Sequence, residues 1–580
     1  MDSKFIKSLS RIPPPKLPKP PKSSFIVAAI DFGTTYSGYA FSLKSSPDQI
    51  HANAIWNGGS TPTLKAPTCV LLDPKGSFHS FGYEAEQHYQ EVTTEGWRLF
   101  RRFKMVLHTS KKVSSDSTVN DVNGQAHPAL PVFTMAIRYL REHLLKALNL
   151  ATTGIVESDI RYILTVPAIW DVGAKQFMRE AATKAGIPDA ELRLALEPEA
   201  AAVWCDGPDI DLTGKKFMVI DLGGGTADIS THEKLPSGNF RNLHKPSGGP
   251  WGGIYVDECY EKFLSEVFGE MAMKKMKETA SSDLLDMLAD FETKKRSFRG
   301  PEDSERGMVL RIPAALATIC SELSNVPLSQ KVSASRFGTK VKTRAADKLS
   351  VDSSVVETWF QEPLRKLLGH LHELLRDAKM HDIKLFLLVG GFGESKYVKN
   401  VLEKGLIGYD VKTGRRLVVP VDAGIAVLKG AVKYGQRPEK IESRVMPDTY
   451  GVEMLRQYDG NKKHRDKMVI SHGKRLVNKC FEVFVRANEE VKTSHTCAHK
   501  IHPISATSTL NVYKSRLSDP EFTTDDGCER MGTLTIKNSP EIPITEQELE
   551  VTFMFAETEI KVKVKNKNTG KEETLTLHVI

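Results

Sequence analysis

At 580 residues, the chain is too long for one hydrophobic core, and its composition, 40% hydrophobic and 26% charged, is that of a globular protein with about two to four domains. It has neither the apolar run of about 18 residues that a membrane-spanning helix needs nor the apolar stretch of a secretory signal. The formal net charge of +8 does not indicate nucleic-acid binding, because six basic residues against one acidic residue in residues 1–24 leave only +3 elsewhere.

Residues 1–24 are predicted to be a disordered arm rich in proline and lysine. The segment RIPPPKLPKPPK has too few apolar side chains to pack on a core, and its prolines favour an extended, solvated backbone. We interpret it as a solvated tail, with a ligand for a proline-recognising domain or an acidic surface as the alternative.

Residues 25–436 are predicted to form a layered α/β domain. The apolar runs FIVAAID, RYILTVPA, KFMVIDLG and LFLLVGG are typical of buried parallel strands, and helical patterns separate them. One helix is predicted before the last of these strands, because apolar residues recur at steps of three and four from Val356 to Leu375. We assign these apolar residues to the core.

The domain contains an internal near-repeat. The segments AAIDFGTTYSGYAF and MVIDLGGGTADIST share a strand, an aspartate, a glycine-rich turn and a return strand. Their aspartates, Asp31 and Asp221, are 190 residues apart. The repeat predicts two lobes built on one plan.

The two repeated turns are typical of a triphosphate site. Close approach of many backbone N–H groups to phosphate requires tight turns with little side-chain bulk, as in Gly33-Thr34-Thr35 and Gly223-Gly224-Gly225-Thr226. Magnesium bound to phosphate needs one or two carboxylates and keeps several waters. Asp31 and Asp221 end apolar strands and Asp228 follows the second turn, so we predict a site for ATP or ADP with Mg²⁺.

A third glycine turn lies in LFLLVGGFGESKYV, between a predicted strand and a predicted helix. Gly390 and Gly391 would let the backbone approach a flat ring or a phosphate closely. Ordinary packing of a strand against a helix is an equally good interpretation of this turn.

The pattern changes after residue 436. The polar stretch over residues 437–449 predicts a linker. Short alternating runs such as CFEVFVRA, GTLTIK, LEVTFMF and EIKVKVKN follow, and they predict an antiparallel β-sandwich over residues 450–580.

The seven cysteines are far apart and form no CxxC pair. This pattern favours reduced thiols in the cytosol over a disulfide framework or a zinc site, and we expect small buried side chains. The seven are Cys69, Cys205, Cys259, Cys320, Cys480, Cys497 and Cys528.

The motifs DFGTTYSG, DLGGGTAD and VGG, in this order, resemble those of the actin-like ATPases, and specifically the 70 kDa heat-shock chaperones. TVPA and LEPEAAA resemble connecting segments of that family, and EVTFMFAETEIKVKVKNKNTGKEETLTL resembles the last strands of its peptide-binding β-domain. FHSFGYEA, FKMVLH, VPAIW and FETKKR resemble a divergent branch, its member twelve. The resemblance covers residues 25–580 and implies duplicated actin-like lobes followed by a C-terminal antiparallel β-sandwich, without a helical lid.

The resemblance also implies a role for each matching residue. The implied magnesium residues are Asp31 and Asp228, acting through waters. The implied phosphate-binding residues are Gly33, Thr34, Thr35, Tyr36, Gly223, Gly224 and Gly225. The implied catalytic residues, which steady the attacking water and the γ-phosphate, are Lys104, Glu197, Asp221 and Thr226. The implied ribose and adenine residues are Glu292, Lys295 and Arg296 on a helix, with Gly390, Gly391 and Phe392 in the third turn.

Three features depart from the family pattern. Phe392 and Glu394 replace small and basic residues, so a phenylalanine can stack on the base but a cation over the ring is missing. The stretch KIESRVMPDTYG lacks the leucine run of the family linker, and the sequence ends soon after the last predicted strand. The family linker, lid and tail are the parts that couple nucleotide to peptide binding and recruit co-chaperones.

Three functions are compatible with these observations. The first is a chaperone-like ATPase of the stress response, in which ATP hydrolysis regulates polypeptide clients or protein partners on the β-domain. The second is a nucleotide-binding scaffold or signalling module with little or no turnover. The third is a small-molecule kinase, since sugar kinases share the lobed architecture. For the chaperone-like ATPase, a nucleotide-exchange factor is a candidate partner. Neither a nucleic-acid partner nor a membrane span is expected. The expected location is the cytoplasm, with the nucleus as the alternative.

Overall fold

The computed structural model describes residues 24–577 with gaps at 60–61, 93–95, 111–112, 153, 208, 302–306, 325, 345–346, 409–413, 472, 504 and 556–557. Apart from Ser24, the predicted arm lies outside the described residues. Packing divides the chain after Lys440 into two compact units, residues 25–440 and a unit that begins at Ile441. None of the described helices has the length and apolar character needed to cross a bilayer.

The first lobe of the larger unit spans residues 25–205. Its strands are β1 (Ile26–Phe32), β2 (Tyr36–Leu43), β3 (His51–Ala52), β4 (Ala66–Pro67), β5 (Cys69–Leu72), β6 (Phe78–Phe81), β7 (Arg98–Arg101), β8 (Thr118–Asn120), β9 (Ala126–Pro128), β10 (Ile160–Val166) and β11 (Leu192–Leu196). Its helices are α1 (Tyr83–Glu91), α2 (Val106–Thr109), α3 (Ala129–Ala151), α4 (Val172–Lys184) and α5 (Glu197–Cys205). The main sheet has the order β11-β10-β1-β2-β3, with β4 also paired to β2. Every residue of β1 is buried, which explains its uninterrupted apolar run.

The second lobe follows from residue 216. Its strands are β12 (Lys216–Leu222), β13 (Ala227–Lys234), β14 (Phe240–Asn242), β15 (Ser247–Gly249), β16 (Met308–Arg311), β17 (Val341–Arg344), β18 (Lys348–Val351), β19 (Leu385–Val389) and β20 (Arg416–Val418). Its helices are α6 (Gly253–Phe268), α7 (Glu270–Thr279), α8 (Ser281–Ser297), α9 (Ala314–Ser324), α10 (Leu328–Ser333), α11 (Ser353–Leu374), α12 (Lys396–Ile407) and α13 (Ala426–Gln436). The last of these, α13, returns to pack on α5 and β1 of the first lobe.

The central strands of the two lobes are arranged in the same way. In the first lobe, β1 is antiparallel to β2 and parallel to β10. In the second lobe, β12 is antiparallel to β13 and parallel to β19. Both hairpin turns therefore lie at the carboxyl ends of buried parallel strands, where open α/β sheets form their ligand sites.

The helix predicted before the last apolar strand is confirmed as α11. Its apolar stripe is buried in the core of the second lobe, in contact with α6 and α12. Among the cysteines, Cys259, Cys497 and Cys528 are half-buried rather than buried, whereas the other four are buried as expected.

The smaller unit is composed of β-strands. They are β21 (Ile441–Val445), β22 (Thr449–Gln457), β23 (Met468–Ser471), β24 (Lys474–Val485), β25 (Glu490–Lys492), β26 (Thr496–Ile501), β27 (Thr507–Ser515), β28 (Cys528–Lys537), β29 (Leu549–Met554), β30 (Ile560–Asn566) and β31 (Glu572–Leu577). One antiparallel sheet has the order β23-β24-β22-β27-β28 and the other β26-β29-β30-β31. Along β30 buried and half-buried residues alternate, as expected for a strand with one face on a core.

The stretch for which the sequence predicts a polar linker, residues 437–449, contains a short 3₁₀ helix (Pro438–Lys440) and strand β21. Strand β21 pairs with β25, about 45 residues further along the chain. Ile441 is fully buried, and Ser443 and Arg444 are each only 2% exposed. Local composition cannot reveal such a pairing, because the partner strand is remote in sequence.

Candidate functional site

The β1–β2 and β12–β13 turns face each other across a cleft of about 520 Å³. A methyl group on Gly224 would lie 2.4 Å from the Thr35 hydroxyl oxygen, and one on Gly225 would lie 2.9 Å from that of Thr34. Any larger side chain would therefore collide with the opposite turn. Glycine allows the two turns to approach closely and leaves their backbone accessible to a ligand.

The second turn is held by the beginning of α6. The N–H of Gly253 donates to the carbonyl of Gly223 at 3.2 Å, and the N–H of Ile254 donates to the carbonyl of Gly224 at 2.8 Å. These bonds satisfy N–H groups that the first turn of a helix leaves without an intrahelical partner. The helix thus fixes the backbone of the turn.

Four acidic side chains from both lobes lie at the base of the cleft. Asp31 and Asp221 lie at the ends of β1 and β12, Asp228 pairs opposite Asp221 on β13, and Glu197 begins α5. The three aspartates are almost fully buried, and Asp228 is only 1% exposed. Such burial of carboxylates is unfavourable unless hydrogen bonds or cations compensate it.

Hydroxyl groups and backbone supply part of this compensation. The Thr165 hydroxyl donates to Asp31 at 2.8 Å. Asp228 accepts from the Thr226 hydroxyl at 2.7 Å and from the N–H of Ile169 at 3.2 Å. These contacts orient the carboxylates before any ligand binds.

Two lysines supply the cations. Lys65 Nζ lies 2.6 Å from Asp31 Oδ2, and Lys104 Nζ lies 2.9 Å from Glu197 Oε1. The Lys104 side chain is 3% exposed, and its ammonium also lies 4.9 Å from the centre of the Trp170 ring. Both ammonium groups line the cleft and can face a phosphate.

The pKa values reflect this balance of burial and charge. Burial raises the pKa of Asp31, but the Lys65 and Lys104 ammonium groups and the Thr165 hydroxyl together outweigh it, so the net pKa is lowered. Burial raises the pKa of Glu197 to about 7, although the Lys104 ammonium acts in the opposite direction. Burial, together with the Glu197 carboxylate, raises the pKa of Asp221 well above its ordinary range.

Helix α8 borders the other end of the cleft. Lys295 Nζ lies 2.6 Å from Asp257 and 2.5 Å from Glu292, so its charge is already matched by two carboxylates. Arg296 bonds Glu292 at 2.9 Å, and its guanidinium lies 4.9 Å from the centre of the Tyr36 ring. The pairing holds the polar groups of α8 in place beside the first turn.

The third glycine turn connects this end to the carboxylates. Gly390 has a φ of 84°, and a methyl group there would lie 2.4 Å from Asp221 Oδ1. Phe392 is 7% exposed, and its ring packs against Phe360 with centroids 6.2 Å apart. The carboxylate of Glu394 accepts from the N–H of Gly424 at 2.9 Å. Phe392 is therefore mainly a core residue that presents one edge to the cleft.

The structure brings nearly all of the predicted site residues together. The cleft is lined by every predicted catalytic and nucleotide-binding residue and by Asp31. Asp228 is the exception, because it lies behind Thr226 and is bonded to its hydroxyl. Lys65 was missed by the sequence analysis. It precedes β4, which pairs with β2, and no local motif signals that this pairing brings the lysine to Asp31.

Comparison with known proteins identifies relatives of the chain. A family model described as Hsp70 protein matches residues 28–298. The chain is 33% identical to heat shock 70 kDa protein 12B of Homo sapiens over 605 residues, covering 92% of this chain and 86% of the relative. It is 31% identical to heat shock 70 kDa protein 12A of Mus musculus, covering 88% and 84%. It is 25% identical to chaperone protein DnaK of Methanothermobacter thermautotrophicus, covering 74% and 63%.

The family match includes both glycine turns, Lys104, Glu197 and α8. The similarity to proteins 12A and 12B extends over most of the chain, which agrees with the resemblance noted in the sequence. The chain therefore belongs to the 70 kDa heat-shock protein (Hsp70) family of nucleotide-binding, ATPase-like proteins.

Proposed function

We propose that this protein binds ATP with Mg²⁺ in the cleft of residues 25–440 and hydrolyses it to ADP and phosphate. The observation that carries this proposal is the pair of opposed glycine turns with two lysines and the carboxylates of Asp31, Glu197 and Asp221 lining the cleft between them. Phosphoryl transfer needs in-line positioning and neutralised charge more than it needs a strong base. In the cleft, the glycine turns between buried strands can position the phosphates, and the two lysines can neutralise their charge.

The phosphates would lie between the two turns. Backbone N–H groups and the hydroxyls of Thr34, Thr35 and Thr226 would bind the phosphate oxygens, and Lys65 and Lys104 would balance their charge. Because strands and α6 hold the turns, little ordering is needed when the ligand binds.

The acidic groups suit a magnesium ion held through water. Among the described residues, no group of three or more histidine, cysteine or acidic side chains is arranged to hold an ion directly. Mg²⁺ retains several of its waters in nucleotide sites, and Asp31 and Asp228 are the carboxylates that would receive these waters. When bound, the ion would neutralise charge on the phosphate oxygens.

Glu197 is the group best suited to handle the proton of the attacking water. A general base works best when its pKa is near the working pH, and the pKa of Glu197 is about 7. Lys104 holds this carboxylate at 2.9 Å, and Asp221 lies nearby with a raised pKa. We assign the orientation of water to Glu197 and Asp221, and contact with the γ-phosphate to Lys104 and Thr226.

The nucleoside would lie between α8 and the third glycine turn. Glu292 and Arg296 on α8 would bind ribose and adenine from one side, and the backbone of Gly390 and Gly391 would approach from the other. The edge of Phe392 would contact the base. The Lys295 ammonium forms an ion pair with Asp257 at 2.6 Å, so we assign it the role of holding α8 in position.

For the unit after Lys440 we propose a β-sandwich that binds polypeptide clients or protein partners. Its support is the pair of antiparallel sheets and the relatives named as chaperones. Exposed backbone at a sheet edge can bind an extended peptide as an added strand. A chaperone role in the cytoplasm, with a nucleotide-exchange factor as partner, follows as part of this proposal.

One observation favours a second candidate, a nucleotide-binding scaffold with little turnover. The Lys65 ammonium bonds Asp31 at 2.6 Å, so a cation of the protein already occupies the carboxylate that magnesium would use. A cleft with a built-in cation can hold nucleotide phosphates with less help from a metal ion.

Calorimetric binding of ATP and ADP with and without Mg²⁺, followed by single-turnover hydrolysis, tests both candidates. Lys104→Ala and Asp221→Asn should each slow phosphate release about 100-fold or more. Lys274→Ala, whose side chain is 70% exposed, is the control and should leave release unchanged. Tight binding without release supports the scaffold. Absence of nucleotide binding, or release unaffected by both site variants, refutes the ATPase.

A further inference from the structure

A second cluster of reactive side chains lies in the β-strand unit. Cys497 and His499 are two residues apart on β26, so their side chains are on the same face of the strand. His499 Nε2 lies 3.6 Å from Cys497 Sγ. His499 Nδ1 lies 3.4 Å from Oε1 of Glu482, which is on β24 of the other sheet. A thiol, an imidazole and a carboxylate thus form a chain of two consecutive contacts.

Neighbouring side chains hold both ends of this line. Arg456 Nη2 bonds Oε2 of Glu482 at 2.9 Å, which fixes the carboxylate. The His499 ring stacks on Phe484 with centroids 4.1 Å apart, and Phe484 packs in turn on Phe553 at 4.3 Å. The imidazole is therefore oriented by an aromatic face and by a polar partner at each nitrogen, unlike a mobile surface histidine.

The charges in the cluster favour a protonated imidazole. Hydrogen bonds to the Cys497 sulfur and to the Glu482 carboxylate raise the pKa of His499 to about 9, against the effect of burial. The bond to His499 and the Arg456 guanidinium also lower the pKa of Glu482 despite its partial burial. The ring therefore carries a proton on the nitrogen that faces the Cys497 sulfur, 3.6 Å away.

We propose that Cys497 is a modification site for hydroperoxides, with His499 as the proton-holding partner and Glu482 as the residue that positions His499. Nucleophile, base and orienting acid stand in the order that activates cysteine in enzymes. Cys497 is half-buried, so a small peroxide can reach the sulfur while the aromatic side of the cluster stays packed. This inference does not depend on nucleotide binding.

The reaction balances with groups that are present. The thiolate sulfur attacks one peroxide oxygen, a sulfur–oxygen bond forms and the oxygen–oxygen bond breaks. The sulfur is oxidised by two electrons to a sulfenic acid and the peroxide is reduced. The leaving group, hydroxide from hydrogen peroxide or alkoxide from an organic hydroperoxide, takes the proton from His499 Nε2 and departs as water or as an alcohol. His499 and Glu482 belong to different sheets, so the modified sulfur lies beside a contact that joins the two sheets.

The expected rate advantage follows from thiol chemistry. An ordinary thiol with a pKa of about 8.5 is roughly 3% thiolate at pH 7, so a neighbour that assists the reaction through ionisation can raise the rate of a thiol by at most about 30-fold. A thiolate of lower basicity is also less nucleophilic, which reduces that gain. We therefore expect Cys497 to react about ten-fold faster than an unassisted cysteine of similar exposure.

The test treats the full chain with dilute hydrogen peroxide, traps sulfenic acid with dimedone and measures the labelling of each cysteine by mass spectrometry. Cys528 is the matched control, because it is half-buried in the same unit and its thiol donates a hydrogen bond to the carbonyl of Phe522 at 3.4 Å. Cys497 should label about ten-fold faster than Cys528. Equal rates at the two cysteines overturn the proposal.

Two variants separate activation from simple exposure. His499→Gln should reduce Cys497 labelling to the Cys528 rate, and Glu482→Gln should give an intermediate rate. Cys480 is 3% exposed and reports on folding, because it becomes reactive only if the unit opens. Fast Cys497 labelling in His499→Gln with Cys480 still protected refutes the role of the imidazole. If Cys480 becomes reactive in a variant, the comparison of Cys497 with Cys528 in the unmodified protein decides the proposal.

Discussion

Replacing Lys104 by methionine provides the sharpest test of the electrostatics of the cleft. Lys104→Met keeps the length of the buried side chain and removes the charge that lies 2.9 Å from Glu197. Breaking a buried ion pair usually costs about 3–5 kcal/mol, because the remaining charge has no partner. Here the cost should depend on pH, since Glu197 can take up a proton instead.

The magnitude follows from the pKa of about 7 for Glu197, raised from an ordinary value of 4.5. At pH 7 half of the native Glu197 is ionised, so losing the ammonium that stabilises this form costs only about 0.4 kcal/mol through Glu197. At pH 9, two units higher, the same loss costs about 2.7 kcal/mol.

The sign of the change in unfolding free energy with pH is that expected for an acid whose pKa is raised in the folded state. The stability that such a group contributes is present below its unfolded pKa and is lost as pH rises through its folded pKa. Lys104→Met moves the folded pKa of Glu197 further up, so the variant loses stability relative to the parent above pH 7. Lys104 also acts to lower the pKa of Asp31 and that of Asp228, although burial raises the pKa of Asp228 overall, so the response of both groups to the loss of Lys104 has the same sign.

Urea unfolding followed by tryptophan fluorescence measures this effect, because all six tryptophans lie within residues 25–440. The difference in unfolding free energy between Lys104→Met and the parent should rise from below about 1 kcal/mol at pH 7 to about 2–3 kcal/mol at pH 9. In a Glu197→Gln background most of this pH dependence should disappear. A loss that is equal at both pH values would show that the reasoning is wrong.

Three further predictions concern the ligand. Gly224→Ala places a methyl group against the opposite turn and should weaken ATP binding at least about ten-fold by calorimetry, whereas Gly369→Ala, with open space around it, should not; equal affinities would contradict the assigned role of the turns. Lys65→Met removes the ammonium from Asp31 and should make Mg²⁺ more important for binding, so the dissociation constant of ATP without Mg²⁺, divided by that with Mg²⁺, should increase. An unchanged ratio would mean that Lys65 does not compete with Mg²⁺ for this carboxylate. Phe392→Ala should lower the unfolding free energy of the tryptophan-containing unit by about 3 kcal/mol, as expected for a core phenylalanine; weaker adenine binding at unchanged stability would instead make it a base-stacking residue.

Much of the site could be predicted because its signals are local. A buried strand, an aspartate and a glycine turn are adjacent in sequence, and two copies of this pattern predicted the two turns that face each other across the cleft. The apolar spacing in residues 356–375 likewise predicted α11. In each case backbone geometry couples neighbours in sequence directly to neighbours in space.

Contacts between remote segments could not be predicted in this way. Lys65 precedes β4, whose pairing with β2 brings the lysine to Asp31, and β21 pairs with β25, which lies 45 or more residues further along the chain. From its place after the third glycine turn, Phe392 was expected to be able to stack on the adenine base, but in the structure its ring packs mainly on Phe360.

The amino-acid sequence by itself determined where the turns, buried strands and charged groups occur, since steric limits on the backbone and hydrophobic periodicity act over a few residues. Only the tertiary structure decided which charges meet. It paired Lys65 with Asp31 and brought Glu482 of one sheet to His499 of the other. The physical reason is that burial and charge compensation depend on distances in space, which chain topology creates between segments that carry no local sign of each other.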